Sequence, residues 1–152
     1  MNTLIKNTLF IFCLCLISCS AQKTTSPNSS AIEFKQITSQ SHGGFSEEQY
    51  LVVKTIKDLK KIYTQINLFR KPGLPLPPVN FDNECIIALF MGQKKSGGYQ
   101  IQIDSIKIKK DNSIEISVKE TTPQGIVTMA ITQPFSIYLI QSKVEISFNK
   151  ID

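Results

Sequence analysis

Apolar and polar residues alternate along most of this chain with a period of two, as in strands that bury one face. Tyr99, Ile101 and Ile103 alternate with Gln100, Gln102 and Asp104. The pattern then slips by one residue to Ile106 and Ile108, which predicts a bulge near Asp104 and Ser105. After a turn at Asp111-Asn112-Ser113, Ile114, Ile116 and Val118 alternate with Glu115, Ser117 and Lys119. Val127, Met129 and Ile131 line one face of the next predicted strand, and Phe135, Ile137 and Leu139 one face of another. Val144, Ile146 and Phe148 alternate with Glu145, Ser147 and Asn149. Cys85 to Met91 is apolar at every position, which predicts a central strand covered on both faces. Two further strands are expected upstream, from Ile32 to Ile37 and from Gln49 to Lys54, with the turn Ser41-His42-Gly43-Gly44 between them.

One segment has the helical period instead. Ile56, Leu59, Ile62, Tyr63 and Ile66 form a single stripe, with Lys57, Lys60 and Lys61 off it as a solvated face. Thr55 and Asp58 have the spacing of a capping box. Residues 67–80 hold Pro72, Pro75, Pro77 and Pro78 and predict a long irregular stretch, either a functional loop or a stiff connector wrapped along the domain. The expected fold is mostly β (α+β). Six strands from 84 to 149 with short turns predict an antiparallel β-meander or a sandwich, with one packed helix near 55–66.

The N-terminus changes the picture. Lys6 precedes an apolar run from Leu9 to Ile17, about half the roughly 20 residues that a membrane-spanning helix needs. Leu16-Ile17-Ser18-Cys19 closes it and resembles the bacterial lipoprotein signal. The resemblance implies that residues 1–18 are removed and that Cys19 is lipidated. Cys13 and Cys15 follow bulky residues and make poorer acceptors. The other reading is an ordinary secretory peptide cleaved nearby, after Ala21. Residues 19–31 are small and polar and read as a flexible tether. Residues 32–152 then form a single β-rich domain of about 120 residues, enough for its own core. The expected address is the bacterial cell envelope, lipid-anchored. Ser20 in place of Asp after Cys19 favours the outer membrane under the enterobacterial sorting rule.

Four cysteines suggest a disulfide framework, but two lie in the signal and one is the lipid acceptor. Cys85 is left alone in an apolar run, as a buried small hydrophobe. The net charge of +5 falls to +4 once Lys6 leaves with the signal, 16 basic against 12 acidic side chains. These charges are scattered lysines without a nucleic-acid motif, so no nucleic-acid partner is expected.

The residues offer little chemistry. His42 lies in a Gly-Gly turn far in sequence from Cys85, and no third group completes a nucleophilic system. No cluster of zinc-ligand spacing occurs, and no cofactor is implied. Glu47 and Glu48 are adjacent and read as a solvated pair. Lys94-Lys95-Ser96-Gly97-Gly98 lacks P-loop spacing and reads as a hairpin. The expectation is a protein that is not an enzyme.

Gly92-Gln93-Lys94-Lys95-Ser96-Gly97-Gly98-Tyr99 resembles the G-x-(K/R)-x-(T/S)-G-G-Y signature of the PrcB-like family, named for a lipoprotein-type subunit of a protease complex. Further matches follow in family order. Val79-Asn80-Phe81-Asp82 resembles its V-D-F lead-in, Val118-Lys119-Glu120 runs on to Pro123, and Thr132-Gln133-Pro134-Phe135 resembles its T-x-P-(Y/F) segment. Asn80 and Lys95 depart from the usual Asp and Pro. The PrcB-like portion spans residues 79–149, with its motifs between 79 and 141. The resemblance implies a protein partner, a protease that the domain assembles or stabilises. The partner-binding loops it points to are Lys95, Ser96, Gly97, Gly98 and Tyr99 with Gln133, Pro134 and Phe135; fold maintenance is the competing role for the same residues. Ser96–Tyr99 and Gln133–Phe135 are also faintly similar to loops of chagasin-type peptidase inhibitors, although Gln133 replaces an Arg and a third loop is missing. An inhibitor is thus the alternative function, and an envelope hydrolase a third class.

Overall fold

In the structure, a computed structural model, residues 32–151 are described. The elements run β1 (Phe34–Gln40), β2 (Glu48–Val53), α1 (Ile56–Ile66), β3 (Cys85–Met91), β4 (Gln100–Ile108), β5 (Ile114–Thr121), β6 (Phe135–Ile140) and β7 (Ile146–Ile151). They form two sheets, ordered β1-β6-β3-β2 and β4-β5-β7. The signal, Cys19 and the tether lie outside the described residues. Among the described residues no helix is long and apolar enough to cross a membrane.

β3 explains the layering. It lies between β6 and β2 and is buried at all seven positions. Cys85, Ile87, Leu89 and Met91 face the second sheet and, with Tyr138 and Ile140 of neighbouring β6, meet its Ile101, Ile103, Ile114, Ile116 and Val118. Ile86, Ala88 and Phe90 face α1 and meet Leu59, Ile62, Tyr63 and Ile66. A strand with a sheet on one side and a helix on the other has no polar face, hence its unbroken apolar run. The mostly β, α+β sandwich with one packed helix is therefore present.

The helix begins where its cap predicts. The Thr55 hydroxyl accepts from the Asp58 amide at 3.1 Å and donates to the Asp58 carboxylate at 2.8 Å. Lys61 and Thr55 hold that carboxyl below its usual range. Ile56, counted in the stripe, is half-exposed at the helix's first residue. After α1 the proline-containing connector wraps the domain. Asn67 bonds the Leu74 amide and carbonyl at 2.7 and 2.9 Å, and Leu74, Val79 and Phe81 pack on the helix-side core.

Four expectations are corrected. The predicted strand through Val127, Met129 and Ile131 is absent. A strand forms where a neighbour takes up its ladder, and this segment has one isolated bridge, Lys94–Thr132, and a backbone bond from Gly97 to Thr128, which do not make a ladder. The meander is also absent, because the chain changes sheet between β3 and β4, β5 and β6, and β6 and β7. As a result β7 pairs with β5 in parallel, the crossover being supplied by β6 in the other sheet. For the same reason the Lys94–Gly98 segment is a crossover between sheets and not a hairpin. β1 runs to Gln40 instead of ending at Ile37. The bulge in β4 is present, between Ile103 and Ser105. The Asp111–Ser113 turn joins β4 to β5 with Asn112 at φ 63°.

β6 also clips the sheets together. The Ser136 hydroxyl donates to the Ile101 carbonyl at 2.8 Å, and the Ile103 amide donates to the Tyr138 hydroxyl at 3.3 Å. At the β2 and β7 margins, Lys150 Nζ lies 3.1 Å from Glu48 and 3.0 Å from Glu120, and the Tyr50 hydroxyl donates to both carboxylates. Burial first, then Glu120 and Glu48, push the Tyr50 hydroxyl far up. Burial alone would lower the Lys150 ammonium, but Glu120 and Glu48 outweigh it and the net direction is up.

Candidate functional site

Three connections meet at one end of the sandwich: residues 41–47 after β1, 92–99 after β3 and 122–134 before β6. Backbone bonds tie them. Gln133 N donates to Ser41 O at 3.0 Å and Gly44 N to Gln133 O at 3.1 Å. Gln93 N donates to Ser46 O at 2.9 Å, while Lys94 and Thr132 exchange bonds of 2.8 and 3.0 Å. The Thr132 hydroxyl donates to Ser96 O at 2.7 Å, and Gly97 N to Thr128 O at 2.9 Å. The two segments singled out in the sequence, 95–99 and 133–135, thus converge.

Their residues do different things. Lys95 and Gly98 are exposed; Ser96, Gly97, Tyr99 and Gln133 are partly buried. Lys94 Nζ sits 5.8 Å from the centre of the Tyr99 ring. Pro134 and Phe135 are buried and offer a partner no surface; Phe135 packs at 5.8 Å from the Phe90 ring. Gly98 has φ 90°, and a Cβ there would meet Pro123 Cβ at 2.7 Å, so the crossover passes this point only without a side chain. Ser39–Ser41, Gly98–Ile101 and Pro134–Phe135 enclose a groove of about 360 Å³.

The most exposed part of this end escaped the sequence reading. Ile126 is 105% exposed, Met129 87% and Ile131 66%. Because the segment joins no ladder, its apolar side chains stand in water. The available signals were Pro123 and Gly125 within three residues and a run from Thr121 to Ser142 without a charge. Gly125 has φ 85°, which makes it a turn residue.

The titratable candidates are scattered. His42 lines a second cavity, while Cys85 sits in the inter-sheet core, its thiol pushed up by burial against a smaller opposing effect of Lys54. Glu48 is taken up by Tyr50 and Lys150, and Glu47 is exposed. Among the described residues no group of three or more His, Cys, Asp or Glu side chains is placed to hold a metal ion.

Residues 85–140, from the first residue of β3 to the last of β6, match the family model described as PrcB C-terminal. This segment is PrcB-like. No curated protein and no solved structure gives a significant match. The PrcB-like segment supplies the two middle strands of the first sheet, the β4–β5 pair of the second, and both the 92–99 and 122–134 connections. β1, β2, α1 and β7 lie outside it and close the sheet edges and the helix layer.

Proposed function

We propose that this chain is a lipid-anchored, non-enzymatic protein of the bacterial cell envelope, whose loop end binds a protein partner and helps assemble or stabilise a protease complex. The observation that carries this reading is the uncharged 122–131 segment, braced at its base by Lys94 and Thr132 and presenting Ile126, Met129 and Ile131 to solvent. Three apolar side chains this exposed within six residues are the kind of surface that a partner covers. The PrcB-like match supports a protease-complex-associated subunit.

Topology favours a protein partner over the bilayer. Phe34 pairs with Ile140 and Gln40 with Phe135, so the described chain enters at the end of β6 opposite the loops. The loops thus lie at the opposite end of β6 from Ile32, where the described chain begins. A tether from Cys19 to Ala31 reaches at most about 45 Å when extended.

Crosslinking and capture of the native lipoprotein from its own envelope tests the reading. A protease should co-purify reproducibly, and Ile126→Ser with Met129→Ser should cut its recovery about tenfold at unchanged protein level. Recovery of abundant membrane proteins alone, or equal recovery with the double variant, would remove the proposal. A Cys19→Ser chain should appear in the soluble fraction; its retention in the membrane would remove the anchor.

A further inference from the structure

The second cavity borders the loop contacts described above, sharing Gly44, Ser46 and Gln133 with them, and extends away from the 95–99 segment. It has a volume of about 600 Å³ and lies between the C-terminal end of α1 and the turn after β1. Arg70, Lys71 and His42 line it with the Phe69 ring, and no Asp or Glu does. Phe69 is 95% exposed although it borders a cavity with room for a side chain. Arg70 Nη2 donates to the His42 carbonyl at 3.1 Å, which fixes the guanidinium at the wall. Its Nε is buried and has no hydrogen-bond partner among the described residues. A buried donor on a cation is costly to leave unmatched.

We infer that this cavity receives an acidic side chain from an extended segment of the partner protein, with Arg70 and Lys71 holding the carboxylate and Phe69 covering an adjacent apolar residue. A carboxylate in the cavity meets the guanidinium of Arg70 at the wall and suits it better than a neutral acceptor does. The C-terminal end of α1 carries partial negative charge and opposes an anion, but Arg70 and Lys71 in the cavity lining each carry a full positive charge against that half-charge. Aromatic and arginine side chains side by side are also the types that dominate protein interfaces. The inference rests on the protein-partner reading and adds the chemistry of the partner.

The probe is a fluorescently labelled ten-residue peptide of alternating Glu and Leu, with Gln in place of Glu as its control, titrated by anisotropy into the full chain in detergent. The Glu peptide should bind at least tenfold more tightly than the Gln peptide. Lys71→Glu, an exposed position, should weaken it about tenfold, Arg70→Gln by a similar factor, and Phe69→Ala about fivefold. Lys57→Gln with Lys60→Gln, on the solvated face of α1, should change it less than twofold. Equal binding of both peptides would overturn the inference, as would a loss with the Lys57 and Lys60 pair matching that of Lys71→Glu. Peptide binding here without any captured envelope partner would remove the protein-partner reading and keep the cavity's chemistry. Normal capture by the Lys71→Glu chain, with no peptide bound by the native chain, would remove the cavity alone.

Discussion

Two adjacent glycines in the crossover should respond oppositely to alanine. At Gly98, φ is 90°, a left-handed backbone that costs an L-residue about 1–2 kcal/mol. The added methyl would lie 2.7 Å from Pro123 Cβ. A proline ring cannot rotate away, so the 122–134 connection must shift, at about 1–3 kcal/mol for an overpacked contact. Loss of glycine's freedom in the unfolded chain returns about 0.4–1 kcal/mol. The net for Gly98→Ala is a loss of about 1–4.5 kcal/mol. At Gly97 φ is not positive, and the nearest atoms to a new Cβ are Thr128 Cβ at 3.8 Å and Thr128 O at 3.9 Å, which is ordinary contact. Gly97→Ala should therefore range from neutral to about 1 kcal/mol more stable. Urea unfolding followed by far-ultraviolet circular dichroism reads both. With a slope of about 2 kcal/mol/M, the Gly98→Ala midpoint should fall by roughly 0.5–2 M while that of Gly97→Ala stays or rises. Equal shifts in the two variants would show that the crossover is not pressed against Pro123, and the account of this end of the sandwich would fail.

Other consequences can be measured in the same way. Ser136→Ala leaves the Ile101 carbonyl without its side-chain donor inside the core and should cost about 1–3 kcal/mol; a loss under about 0.5 kcal/mol would mean that the clip contributes nothing. Tyr50 is held above its ordinary value of 10.0, so the folded state keeps that proton longer than the unfolded chain does. Its contribution is then complete below pH 10 and lost as the pH rises above it; Lys150, also raised, acts in the same direction. Stability should fall above about pH 10 and fall less steeply in Tyr50→Phe, whereas identical alkaline profiles would exclude this origin. Cys85 is 1% exposed with its thiol pushed up, so maleimide should reach it only after unfolding; labelling of the folded chain at the unfolded rate would contradict its place in the core.

Much of the fold was legible because local physics encodes it. The α1 stripe, the Thr55 cap, the slip at Asp104 and the two-faced β3 are each patterns that a short segment carries alone. Strand partners are not local. A period of two is the same for parallel and antiparallel neighbours, so nothing in Ile146 or Phe148 could announce a parallel pairing with β5 across an intervening strand of the other sheet. The same ambiguity made Val127, Met129 and Ile131 resemble a strand, although alternation yields one only where an edge is free to pair. The candidate site divided likewise. Gly98 and Gln133 were visible as turn and pre-proline residues, whereas Arg70, Phe69 and His42 meet only because the β1–β2 turn is pressed against the end of α1.

By itself, the amino-acid sequence determined that β3 is apolar on both faces, where the helix starts, where β4 bulges, and that the N-terminal segment reads as a lipoprotein signal. These depend on neighbours within a few positions. Only the tertiary structure decided that the chain passes repeatedly between two sheets, that Pro134 and Phe135 belong inside, and that Ile126, Met129 and Ile131 face water. Exposure is a property of what the rest of the chain covers, and an apolar residue carries no mark of whether anything lies over it.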